Sequence, residues 1–261
     1  MNLTDSDIVK FQRGTPIFLD DICAIYCATI GEIADFGYDK FQACLSAITA
    51  QKPIMSNKDK ELQKILEPLT DFQYILMLTF LDKNAHELLK EAFRFFCHED
   101  VIFSLDPAQI VVGPIQEKHL LTEEKFYSLQ KVIRHMYFID QDIDEERNII
   151  REDDDLAVKA LKMQMRKRQE QLRKAKAKQA RNGSGGELKF SDLIGSITIN
   201  NCGLNMENIW NITYYAFHDQ LKRMGWRDQF NINNQAAMAG AKLKKSQLKH
   251  WIRPITDSDK T

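Results

Sequence analysis

Residues 140–186 read DQDIDEERNIIREDDDLAVKALKMQMRKRQEQLRKAKAKQARNGSGG, and the architecture on either side follows from how this stretch is read. It opens acidic at Asp140, Asp142, Asp144, Glu145 and Glu146, passes a second cluster from Glu152 to Asp155, and turns basic from Lys159 to Arg181. Between Asp144 and Ala180 there is neither Gly nor Pro. Ala, Leu, Met, Gln, Glu, Lys and Arg, which lose least on entering a helix, fill most positions. The expectation is one long charged helix over 141–182, stopped by Asn182-Gly183 and followed by a flexible Gly/Ser linker at 183–187. Val158, Leu161, Met165 and Leu172 follow a 3-4-7 spacing, but Arg168 breaks the seam, so a solvated helix is expected and not a coiled coil.

Charge divides at the same place. Residues 1–155 hold 16 Lys and Arg against 29 Asp and Glu, a balance of −13, while residues 156–261 hold 20 against 8, a balance of +12. The near-neutral total therefore hides an acidic body and a basic remainder, which either attract one another or serve different partners.

Upstream, PIFLDDICAIYC (16–27) has apolar residues on both sides of Asp20-Asp21 and reads as one or two short strands. Thr29 and Glu32 have capping-box spacing, Gly37 stops the short helix they open, and Phe41, Cys44, Leu45 and Ile48 mark a second helix to about Ala50. Another helix is expected from Ser56 to before Pro68. Thr70 caps the next, whose buried side is Phe72, Ile75, Leu76, Thr79 and Phe80. Asn84 and Glu87 repeat the box before an inner face of Leu88, Leu89, Ala92, Phe95 and Phe96. Val101 to Val112 suggests two strands around Asp106-Pro107. A last helix starts at Thr122, with Phe126, Leu129, Val132, Ile133 and Met136 inward, and finishes in Tyr137-Phe138-Ile139. Residues 1–140 thus read as a mixed, mainly helical acidic domain of the α+β kind.

Downstream, residues 188–261 read as a small, aromatic-rich helical domain. Leu188 to Ile194 starts it, and Met206 to Met224 is a helix apolar over most of its circumference, ended by Gly225. Leu243, Leu248, Trp251 and Ile252 form a last amphipathic helix before Pro254. A piece this small and this apolar needs a partner surface: the N-terminal domain, another copy, or a client chain.

The sequence carries no catalytic signature. His218-Asp219 are neighbours on a helix and point about 100° apart, so they are not a preformed dyad. The aspartates from Asp140 lack the glycine and the closing Glu of a calcium loop, and the glycines at 183–186 lack the Lys-Ser or Lys-Thr of a phosphate loop. The five cysteines (Cys23, Cys27, Cys44, Cys97, Cys202) are odd in number and show no paired spacing. They read as free, largely buried thiols of a reducing cytosol, with a zinc site including His98 as the lesser alternative. No apolar run is long enough for a bilayer, and the N-terminus has no leader pattern. No cofactor, metal or catalytic residue is expected. The basic arm (Lys159, Lys162, Arg166, Lys167, Arg168, Arg173, Lys174, Lys176, Lys178, Arg181) can neutralise phosphates but lacks stacking aromatics, so a nucleic-acid-associated or scaffold adaptor role is the alternative to a solvated helix drawn to the acidic body.

Ile22 to Tyr26 leading to Thr29-Ile30-Gly31-Glu32-Ile33, a mixed helical domain, a charged helix and then Ile209-Trp210-Asn211-Ile212-Thr213-Tyr214-Tyr215-Ala216-Phe217-His218-Asp219-Gln220-Leu221-Lys222-Arg223, with Ala239-Gly240-Ala241 and Lys249-His250-Trp251 beyond, form a recognisable layout. It resembles tail assembly chaperone-type proteins of long-tailed bacteriophages infecting Gram-positive bacteria. The resemblance implies a non-enzymatic morphogenesis protein of the host cytoplasm. Such proteins coat the long, aggregation-prone tape measure protein and help recruit tail tube subunits. Self-association is a further possibility. The residues expected to grip a client are Trp210, Tyr214, Phe217, Leu221 and Trp251.

Overall fold

The computed structural model describes residues 3–52, 66, 68–105, 107–113, 119–139, 189–200, 203–241 and 250–252. The expected central helix, the linker, the helix from Ser56 and the start of the helix at Leu243 lie outside the described residues. The fold is mainly α (α+β), with two small antiparallel sheets among the described residues.

Helix α1 (Asp5–Arg13) was not foreseen. Thr4 and Asp7 cap one another at its start, and Gly14 closes it at φ 73°. The capping hydrogen bonds from Thr4 hold the Asp7 carboxyl below the usual range. Strands β1 (Ile17–Leu19) and β2 (Cys23–Ile25) form a hairpin in the register Ile17↔Ile25 and Leu19↔Cys23, its turn helped by Asp20 at positive φ. Those four residues are buried while Phe18 points outward.

At α2 (Ile30–Phe36) the predicted box is present: Glu32 N–H donates to Thr29 Oγ1 at 3.2 Å, and Thr29 N–H donates to Glu32 Oε2 at 2.7 Å. Gly37, at φ 95°, turns the chain straight into α3 (Tyr38–Ile48). Helix α4 (Asp71–Leu81) starts at Thr70 with Gln73 completing the box. Phe72, Ile75, Leu76 and Thr79 are buried as expected, but Phe80 faces solvent, because its position falls past the edge of the inward stripe. Helix α5 (Lys83–Cys97) is capped by Asp82 and not by Asn84, since Asp82 Oδ1 already accepts from Asn84 N–H at 2.8 Å. Its inner face includes Phe93, which the sequence reading left out, while Leu88 and Phe95 lie at the margin.

Strands β3 (Val101–Leu105) and β4 (Ala108–Val112) pair antiparallel with Leu105 opposite Ala108, and an unforeseen third strand, β5 (His119–Leu121), joins β4. Val101, Phe103, Ile110, Val112 and Leu121 point into the core. Helix α6 (Glu123–Met136) follows Thr122 and buries Phe126, Leu129, Val132, Ile133 and Met136. It ends at Met136, with Tyr137 as its cap.

The C-terminal block consists of α7 (Phe190–Asn200), a single 3₁₀ turn (Ile209–Asn211) and α8 (Tyr214–Met238). The continuous helix expected from Met206 is interrupted at Ile212, which is extended, and restarts where Thr213 Oγ1 accepts from Ala216 N–H at 3.1 Å. Gly225 does not end α8. A solvent-exposed glycine inside a helix costs only ~1 kcal/mol, which the neighbouring turns carry.

Candidate functional site

The C-terminal block is built into the N-terminal unit. Ile209, Tyr214, Tyr215, Phe217, Ile194 and Ile197 belong to the same buried cluster as Phe11, Ile30, Phe41, Phe96 and Tyr137. Thr29 and Thr213 form an antiparallel bridge, flanked by Ile30 N–H donating to Ile212 O at 2.9 Å and Tyr214 N–H donating to Ala28 O at 2.8 Å. This bridge explains the break in the helix: Ile212 and Thr213 must be extended to pair.

Close approach completes the seam. A Cβ at Gly31 would lie 2.9 Å from Trp210 O, and one at Gly14 would meet Thr213 Cγ2 at 3.2 Å. The buried Tyr137 hydroxyl accepts from Ala28 N–H at 2.9 Å and donates to Tyr26 O at 3.2 Å, satisfying both backbone groups beside the bridge. Above it lies an aromatic layer. Tyr214 contacts Phe41 and Tyr137, Tyr215 contacts Phe11 and Phe138, and Phe190 meets Phe217 and stacks on Tyr38. Burial drives the Tyr214 phenol far above its ordinary range and pushes Tyr215 up to about 12.

His218 sits in this layer, against Tyr214, Phe217 and Phe138, with its Nε2 buried and unpaired. Burial first, and the Lys222 charge second, pull its pKa down to about 4. The imidazole is therefore neutral at physiological pH.

The five expected client contacts do not form one cluster. Phe217 is fully buried and Tyr214 nearly so, and as folded here neither offers its ring to a client. Trp210 and Leu221 lie half-buried against the core, with the Trp210 indole N–H donating to Met206 O at 2.8 Å. Trp251 lies elsewhere: His250 stacks on it and meets Phe230, roughly 20 Å along the helix from Phe217 at 1.5 Å per residue. The basic-arm residues, Lys159 to Arg181, lie outside the described residues.

What the sequence reading missed is the second half of α8. Beyond Met224 the helix carries mostly exposed residues, with Ile232 58% and Met238 90% exposed and Phe230 half-covered. Phe230, Ile232 and Met238 have no i, i+3 or i+4 spacing to announce a helical face, and Gly225 was read as a stop.

A cleft of about 590 Å³ opens beside the seam, lined among others by Arg13, Tyr26, Glu32, Asp35, His98 and Asn211. Its walls come from both blocks. Cys27 reaches it, but burial pushes that thiol up to about 12, the reverse of an activated nucleophile. The His98 ring stacks on Tyr26 with centroids 4.1 Å apart. Cys23, Cys27, Cys44 and Cys97 are buried free thiols, and among the described residues no three His, Cys, Asp or Glu side chains are placed to hold a metal ion. Among the same residues no helix is long and apolar enough to cross a membrane.

No curated protein matches the chain, and no solved structure does. A family model described as the YomV second domain matches residues 176–256, the region containing α7, the 3₁₀ turn and α8, and this likeness suggests a phage-derived protein family.

Proposed function

We propose that this protein is a non-enzymatic morphogenesis factor of a long-tailed phage, a tail assembly chaperone that holds the tape measure protein in the host cytoplasm. The observation that carries the reading is the second half of α8. It lies within the segment similar to the YomV second domain and displays Ile232 and Met238 to solvent on a helix whose first half is anchored in the core. An anchored helix that projects exposed apolar side chains beyond the core suits a long, helical client with apolar positions of its own. The grip expected at Tyr214 and Phe217 is accordingly moved to Phe230, Ile232, Met238 and Trp251. The acidic balance of the first 155 residues keeps such a complex soluble.

Co-expression with the tape measure protein encoded beside this chain is the test. The client should be soluble and monodisperse with the chaperone, and should aggregate when Ile232→Asp and Met238→Asp are combined. A client equally soluble without this chain ends the proposal. Recruitment of tail tube subunits is the second partner this reading assigns. The nucleic-acid alternative rests on Lys159–Arg181, and no described feature favours it.

A further inference from the structure

Among the described residues, the sheet β3–β4–β5 packs one face against the core and leaves the other largely open. On the other, the register aligns Ile102, Val111 and Leu120 in a single row across all three strands. Ile102 is 51% and Leu120 50% exposed, with Val111 half-buried between them. The next pair on that face, Ser104 and Gln109, is uncharged. An antiparallel sheet facing water ordinarily alternates apolar-in with polar-out. Here the outward row is as aliphatic as the inward one, and no charge interrupts it.

The border of this face is acidic among the described residues. Glu99 and Asp100 precede β3, and Glu123 and Glu124 follow β5. The nearby cations are already engaged: Arg94 with Asp100 at 2.6 Å, and Lys125 with Asp20. Among the described residues Glu99 and Glu123 are in no ion pair, and Glu124 lies near the already paired Lys125, so the described border is acidic on balance.

We infer that the outward face of β3–β4–β5 is a docking surface for an amphipathic segment of another protein whose aliphatic stripe is flanked by Lys or Arg. The row Ile102–Val111–Leu120 receives the stripe, and the acidic border selects the flanking sign. A second copy of this chain fits less well, because a two-fold pairing would set the same acidic border against itself. This surface is distinct from the second half of α8, so it neither requires nor excludes the tape measure reading.

The probe is a fluorescein-labelled helical peptide of 18 residues with a Leu stripe flanked by Lys, compared by anisotropy with its Glu-flanked counterpart (~18 residues spans roughly 27 Å, enough to cross three strands). Full-length protein is expected to bind the Lys peptide at least tenfold tighter than the Glu peptide. Ile102→Thr with Leu120→Thr, which keeps charge and strand preference, is expected to lower that affinity at least tenfold with an unchanged circular dichroism spectrum. Equal binding by the double variant overturns the inference, as does equal binding of the two peptides. Sedimentation showing a wild-type dimer that the double variant dissolves overturns it in favour of self-association. If the double variant unfolds, Ile102→Lys alone serves, with the same expected loss.

Discussion

The two halves of α8 differ in almost everything but backbone conformation. From Tyr214 to Leu221 the helix lies in the shared aromatic core, and its first residue hydrogen-bonds across the seam to Ala28. From Gly225 to Met238 it is mostly exposed. The difference teaches that aromatic density and solvent-facing apolar surface are separate properties. The rings crowded at Trp210–Phe217 mark where the block attaches, while Ile232 and Met238 beyond Gly225 face solvent.

That contrast breaks most visibly at Phe217. Phe217→Ala should cost ~3–5 kcal/mol in urea denaturation, the range for a fully buried aromatic, with the C-terminal block loosening alongside the body. A loss below ~1 kcal/mol would mean that the first half is not core. Next comes Gly31→Val, whose Cβ would run into Trp210 O at 2.9 Å. The clash is with backbone, so ~2–3 kcal/mol is expected, together with faster proteolysis between the blocks. Unchanged proteolysis would break the link between this close approach and docking.

His218 gives a pH-dependent version. Its ordinary value of 6.5 is lowered to about 4 in the folded chain, so the unfolded chain binds the proton more readily. Stability from this group is complete above about pH 6.5 and falls progressively as pH drops toward 4, by ~2–3 kcal/mol at one pKa unit per 1.36 kcal/mol. Lys222 faces the ring, and the Asp219–Arg223 ion pair lies nearby at 2.9 Å. His218→Phe should flatten the thermal-melting profile over that window, and an unaltered slope would remove the histidine from the account.

A milder effect is expected at Thr29→Ala, which deletes the box at α2 beside the bridge and should lower stability by ~1 kcal/mol in the same urea assay. Smallest of all is Ile232→Ala in the second half of α8, where exposure limits the change to within ~0.5 kcal/mol. A large loss there would erase the distinction between the halves.

Local chemistry was the legible part. The capping box at Thr29, the helix start at Thr70, the Gly37 stop and the pairing of two strands within Val101–Val112 all rest on neighbours within a few residues, and all are present. Features set by distant partners were not. Ile212 is extended because Ala28 and Ile30 pair with its surroundings, about 180 residues away in sequence. Strand β5 has three residues, too few for a period-two pattern to appear. Gly225 misled because a glycine stops a helix only where the chain needs a left-handed turn, and α8 does not turn there. Tyr214 and Phe217, expected to face a client, are buried for a related reason: apolar residues in sequence do not declare whether the surface they meet belongs to the same chain.

The Thr29–Thr213 bridge also sets a timetable for synthesis. At ~5–20 residues per second, the ribosome needs roughly 4–16 s after Ile139 to deliver Phe217, and more before it clears the exit tunnel. Throughout that interval Phe11, Ile30 and Tyr137 lack the neighbours that will cover them. The nascent N-terminal unit therefore waits with one apolar side open, and premature termination anywhere before α8 leaves a product that cannot close it.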